Sequence, residues 1–161
     1  MRRTQLIRLK YDVNSKIMNI TRRITDLQRY ATNVADGKVS FKEMCDIPYT
    51  LFGRQSIFMQ YSHNSALNVA NMQMAAMAPM MAMQMQNANP QQISMYQNQM
   101  FMNLYNQARK QAAEEEKKLL NEQEKELVLE KEQLVALRSS YEAELKSLTE
   151  QQPRALESLF S

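Results

Sequence analysis

Between Gln55 and Ala108 the chain carries not one Asp, Glu, Lys or Arg, while methionines stand at 59, 72, 74, 77, 80, 81, 83, 85, 95, 100 and 102. Thioether sulfurs are soft ligands that select Cu(I). Met72-Gln73-Met74 and Met81-Ala82-Met83-Gln84-Met85 supply closely spaced M-x-M units, so Met81, Met83 and Met85 are the residues that would hold such a metal. No His or Cys stands among them, which weakens a copper site. The simpler reading leads: Met, Ala and Gln together build a helix with a deformable, mildly apolar surface, suited to an imperfectly matched partner. A third reading is that a Gln/Asn/Met-rich segment stays unfolded and self-associates.

Catalysis has little to work with. His63 and Cys45 are single, there is no Gly-rich loop, and His63 has no Asp or Glu within fifteen residues on either side, which reads as a surface or turn histidine. The eleven carboxylates between 114 and 150 are spread among lysines in the manner of a solvated helix. A nucleophile and base within reach, paired carboxylates, or an open metal site are what an enzyme needs. The expectation is therefore a non-enzymatic protein with no cofactor.

Asp36 to Glu43 matches the second half of an EF-hand loop, with acidic, Gly, aliphatic and Glu residues in the required order. The first and third ligand positions fall on Thr32 and Val34, and valine has no side-chain oxygen. Capping chemistry explains the same residues without calcium. Gly37 sits where a C′ glycine belongs, and Ser40 with Glu43 forms a capping box flanked by Val39 and Met44.

Around these residues two heptad arrays are legible. Leu6, Val13, Ile20, Leu27 and Val34 recur at steps of seven, with Ile17, Ile24 and Ala31 four residues after the second, third and fourth of them, and only Lys10 interrupting the seam. This a/d pattern predicts a coiled-coil helix. Arg8, Lys16, Arg22, Arg23 and Arg29 gather into a basic stripe along it. Near the other end Leu120, Leu127, Leu134, Tyr141 and Leu148 again recur at sevens, joined by Leu137 and Leu145, with Gln123, Glu130 and Glu144 at the remaining seam positions. Residues 1 to 42 carry ten Lys/Arg against three Asp, and 109 to 161 nine against twelve Glu. Opposite balances suit mutual docking of the two arrays.

The pattern divides into five parts: a basic heptad helix over 1–36, a short helix and aromatic-rich joint over 37–62, an uncharged Met/Gln/Asn segment over 63–89, a long charged helix over 90–152, and a short apolar tail over 153–161. Ser62 to Ser65 reads as a turn, Pro48 and Gly53 as limits on the second helix, and Pro79 as the end of a Met/Ala/Gln helix. Asn89 suits an N-cap and Pro90 the first helical position. Pro153 reads as a break before the tail.

The architecture expected is all-α: an elongated antiparallel helical hairpin or coiled coil with a Met-rich helical or partly disordered middle. Leu6 to Ile20 is too interrupted by charge for a signal-peptide core, and the uncharged stretch too broken by Gln and Asn for a membrane span, so a cytoplasmic start is the default. The function expected is that of a structural or adaptor protein presenting helical surfaces to itself or to a helical partner. Nucleic acid and an anionic membrane surface are weaker readings of the basic stripe, because only Tyr11 and Tyr30 interleave with it. In layout alone, terminal coiled-coil helices around an uncharged middle resemble proteins exported by flagellar or type III machines. That resemblance implies an exported or filament-forming alternative.

Overall fold

The structure, a computed structural model, describes residues 2–35 and 49–160, and side-chain surroundings within 2–34 and 51–150. Three helices account for almost all of it: α1 (Arg2–Ala35), α2 (Tyr49–Gln84) and α3 (Pro90–Phe160). No strand occurs among the described residues. The protein is all-α, as its wealth of Leu, Met, Gln, Glu, Lys and Ala and its two glycines favour.

Contacts divide the chain into two units. The first consists of Met1–Leu27 and Glu122–Ser161, the second of Gln28–Asn121. In the first unit only α1 and α3 contribute, so each buries its seam on the other. Leu6, Val13, Ile20 and Leu27 are buried and Ile17 and Ile24 half-buried; from α3, Leu127 is buried and Leu134, Tyr141, Leu145 and Leu148 are half-buried. The pairing is antiparallel, with Arg2 against Glu144 and Lys10 against Glu142. Threonines on the exposed side of α1 are accommodated by back-bonding one turn earlier, Thr21 to the Ile17 carbonyl (2.8 Å) and Thr25 to the Thr21 carbonyl (3.1 Å).

The α3 seam differs from the expected one in register. Leu137 is 39% exposed, and Gln123 and Glu130 are exposed, whereas Glu124, Lys131 and Arg138 are half-buried. The seam thus steps four then three through Leu120, Glu124, Leu127, Lys131, Leu134, Arg138, Tyr141, Leu145 and Leu148. Long charged side chains can occupy such positions by laying their methylene stems on the partner; that of Arg138 is sunk far enough for its Nε to be buried.

In the second unit the ends of α1 and α3 meet α2. Its core is built from Tyr30, Val34, Ala66, Ala70, Met81, Ala112, Ala113 and Leu120, together with Gln55 and Ser62. Asn89 caps α3: its Oδ1 accepts from the Gln91 amide (3.3 Å), and Gln92 Oε1 accepts from the Asn89 amide (3.4 Å). This reciprocal arrangement satisfies two donors that a helix start otherwise leaves unpaired.

Three expected interruptions are absent, because α2 runs unbroken past Gly53, through Ser62 to Ser65 and past Pro79. Ser62 Oγ donates to the Met59 carbonyl (3.1 Å), so the helix itself satisfies the hydroxyl that would otherwise favour a turn. Pro79 removes one amide from the ladder and crowds the carbonyl of Ala75. Both residues are exposed and Ala75, Ala76 and Ala78 are small, so water can take that carbonyl and the ring has room. Likewise α3 continues through Pro153 to Phe160, where a break was expected. The calcium-like loop, the Gly37 cap, the Ser40–Glu43 capping box, Cys45 and Pro48 lie outside the described residues.

Candidate functional site

The described residues hold three groupings that bear on function. One is the flank of the first unit. Arg2 donates through Nε to Glu144 Oε1 (2.6 Å), and Lys10 Nζ lies 3.0 Å from Glu142 Oε1. The Lys10 ammonium, by hydrogen bond first and by charge second, holds the Glu142 carboxyl below the ordinary carboxylate range. Arg8, Lys16, Arg22, Arg23 and Arg29 are all exposed. Ile7, Tyr11 and Met18 are exposed on the same helix, interleaved with Arg8 and Arg22.

The second grouping is a buried polar cluster where the three helices of the second unit meet. Tyr30 is fully buried; its hydroxyl donates to Glu116 Oε1 (3.2 Å), and Arg54 Nε donates to the same oxygen (2.7 Å). The Arg54 guanidinium also lies over the Tyr30 ring, 5.7 Å from its centre. Burial and then the charge of Glu116 push the Tyr30 phenol well above its ordinary range, and the Glu116 hydrogen bond raises the Arg54 guanidinium further. Each of these shifts favours the protonation state that the cluster already has at neutral pH. That suits a clamp between helices better than proton-transfer chemistry, which needs a group poised near the working pH. Beside it Gln55 is fully buried, and neither its Oε1 nor its Nε2 has a hydrogen-bond partner. Sequence reasoning did not bring these four together: Tyr30 entered only as an aromatic beside the basic stripe, and Arg54, Gln55 and Glu116 are unremarkable in their own stretches and converge with it only through tertiary packing.

His63 is bonded to a residue distant in the chain. Its Nδ1 lies 2.6 Å from the Tyr105 hydroxyl and the rings meet edge to face, while Phe101 stacks on Tyr105 and Arg109 lies over it. Among the described residues no acidic group takes part. Among the described residues no three His, Cys, Asp or Glu side chains gather in a way that could hold a metal ion.

The third grouping is the methionines. Met81 is 6% exposed and Met83 76%, with Met85 between them. Successive helical residues are turned by about 100°, so Met83 lies on the far side of the helix from Met81. Met74, Met77 and Met81 instead share the inward face, continued by Met85 just past the helix end, while Met72, Met80 and Met83 are exposed. The thioethers are thus divided between a packing face and a solvent face.

No helix among the described residues is long and apolar enough to cross a membrane. Comparison with known proteins finds no matching family model, no matching curated protein and no matching solved structure.

Proposed function

We propose that the chain is a non-enzymatic structural or adaptor protein that acts through helix packing and protein–protein interaction, assembling with itself or with a helical partner. One observation carries this reading. The second unit buries Ala66, Ala70, Ala112, Ala113 and Ser62, yet it leaves Ile57 70%, Met72 73%, Met83 76% and Met95 70% exposed. Burial of apolar surface stabilises by about 25 cal/mol per Å², so a chain selected only to fold alone would place its large apolar side chains inside and its alanines out. Large apolar groups held in water on a regular helix fit a contact surface. Methionine suits that use, being flexible enough to repack against an uneven partner. An exported filament is the extended form of the same reading. The Cu(I) alternative draws less support, since Met83 faces away from Met81.

The test is photo-crosslinking. A benzophenone amino acid placed at Ile57, Met72 or Met102 and irradiated in the cells that produce the protein is expected to yield discrete protein adducts. The same group at Thr25 or Lys125, exposed polar positions, is expected to yield few. Equal labelling at both sets, or none at either, would overturn the reading.

A further inference from the structure

On the solvent side of α2, eight of the exposed residues fall in one row. Ile57, Tyr61, Met72, Ala75, Pro79 and Met83 are all exposed, and Asn64 and Asn68 complete the row, so that the steps run four, three, four, four, three, four, four. At about 100° per residue these eight positions fall within an arc of about 100°, and at about 1.5 Å per residue the row is about 39 Å long. It repeats every eleven residues, a spacing that drifts by about 20° per repeat and lets two helices follow one another in a shallow right-handed coil. The row is an apolar seam like those of α1 and α3, but turned outward.

We infer that this face of α2 is the contact surface of a two-fold dimer, in which a second copy of the chain lies parallel and in register along the row from Ile57 to Met83. The inference rests on the interaction reading above and names the partner and the surface. Two features select a second copy. No charged side chain follows Arg54 on α2, and none occurs before Arg109. A parallel, in-register two-fold contact sets every residue of the row near its own copy, which a charged face tolerates poorly, because like charges brought together in an interface repel strongly. The exposed apolar residues of α1 fail that condition, as Arg8 and Arg22 stand among Ile7, Tyr11 and Met18. A charged partner, in turn, would find no countercharge between Ile57 and Met83, and Arg54, one turn earlier, is held by Glu116. The second feature is the pair Asn64 and Asn68 within the row. A carboxamide carries both donor and acceptor, so in a parallel, in-register pairing each Asn is satisfied by its own copy, and a polar residue inside an apolar seam fixes register and stoichiometry. Antiparallel pairing about the middle of the row would set Asn68 against Met72 and leave the amide unmatched.

The experiment uses the full chain. Sedimentation equilibrium of the unaltered protein at micromolar concentration is expected to give twice the chain mass. Ile57→Lys with Met72→Lys places exposed cations against their copies and is expected to weaken the dimer by about a hundredfold or more, while circular dichroism shows the helices retained. In a Cys45→Ser background, Asn68→Cys is expected to form a disulfide-linked dimer on mild oxidation, and Gln73→Cys, on another face of α2, is not. A monomer at micromolar concentration overturns the inference, as does a dimer that the lysine substitutions leave intact or one that crosslinks equally at both cysteine positions. Should the lysine variant unfold, the cysteine pair decides alone. A monomeric chain whose Ile57 photoadducts contain a different protein would sink the dimer and leave the adaptor reading standing.

Discussion

Gln55 is the residue whose chemistry is least at ease in this fold. A fully buried carboxamide with neither polar atom paired keeps the desolvation cost of both groups and gains nothing in return. Gln55→Met, similar in length and unbranched, is expected to stabilise the protein by about 1 kcal/mol, read as a rise in the urea midpoint. A fall would mean that the amide has a partner in solution. Glu116 is the opposite case, since it accepts from both Tyr30 and Arg54 through one oxygen. Glu116→Gln removes the negative charge that Tyr30 and Arg54 share and is expected to cost about 1–2 kcal/mol in the same measurement. It should also bring the Tyr30 phenol part of the way back towards its ordinary value, burial still holding it up. At the surface, Lys10 keeps the Glu142 carboxyl below its ordinary value of 4.5. The stability from that pair is present above 4.5 and is lost as pH falls through the lowered folded value. Lys10→Met should return Glu142 to the ordinary range in an NMR titration and remove this part of the acid dependence. An unmoved Glu142 would show that the pair does not form in solution.

At the scale of the element, α2 runs counter to local propensity. A glycine and a proline lie inside a helix of 36 residues, and each was expected to limit it. Helices in proteins are held mainly by packing of one face, and here Gln55, Ser62, Ala66, Ala70 and Met81 are buried along α2 on both sides of the Ser62–Ser65 stretch and of Pro79. The face is continuous, so the helix is too. Pro79→Ala restores an amide and relieves the Ala75 carbonyl. An interior proline costs about 3 kcal/mol against alanine, offset by up to about 1 kcal/mol because proline also restricts the unfolded chain. A gain of about 2 kcal/mol is expected, with slower amide exchange between residues 76 and 83. A loss would mean that the proline is compensated by a bend that the packing requires.

Across the whole molecule, the two units rest on different kinds of core. The first buries Leu, Val and Ile of a heptad seam, the second four alanines and Ser62 alongside Tyr30, Val34, Gln55, Met81 and Leu120. The first is therefore probed by truncation and the second by enlargement, and each change is expected to destabilise. Ile20→Ala empties a tightly filled position and is expected to cost about 2–4 kcal/mol. Ala70→Leu forces a large side chain into a fully buried site and is expected to cost about 1–3 kcal/mol. Chemical denaturation of both variants checks this. If Ala70→Leu is neutral, the helices of the second unit are not in close contact along the Ala66–Ala70 face.

Helix content and the α1 seam were legible in the amino-acid order alone, because both depend on local propensity and on a period that the backbone itself imposes. Leu6, Val13, Ile20 and Leu27 stand seven apart in the chain and are all buried, and Asn89 with Pro90 marks the start of α3 with a cap whose chemistry is local. Tertiary structure decided what depends on partners. From Leu134 a step of three reaches Leu137 and a step of four reaches Arg138. Hydropathy chooses the leucine alone, yet the structure leaves Leu137 39% exposed and the Arg138 side chain 37%, because the four-three rhythm running from Leu120 turns neither fully towards α1. The bond from His63 to Tyr105 and the junction of Tyr30, Arg54 and Glu116 span 42, 62 and 86 positions of chain. The same holds for the methionines. Their number is written in the sequence, but which of them face the core and which face water follows from the side of α2 that its neighbours cover.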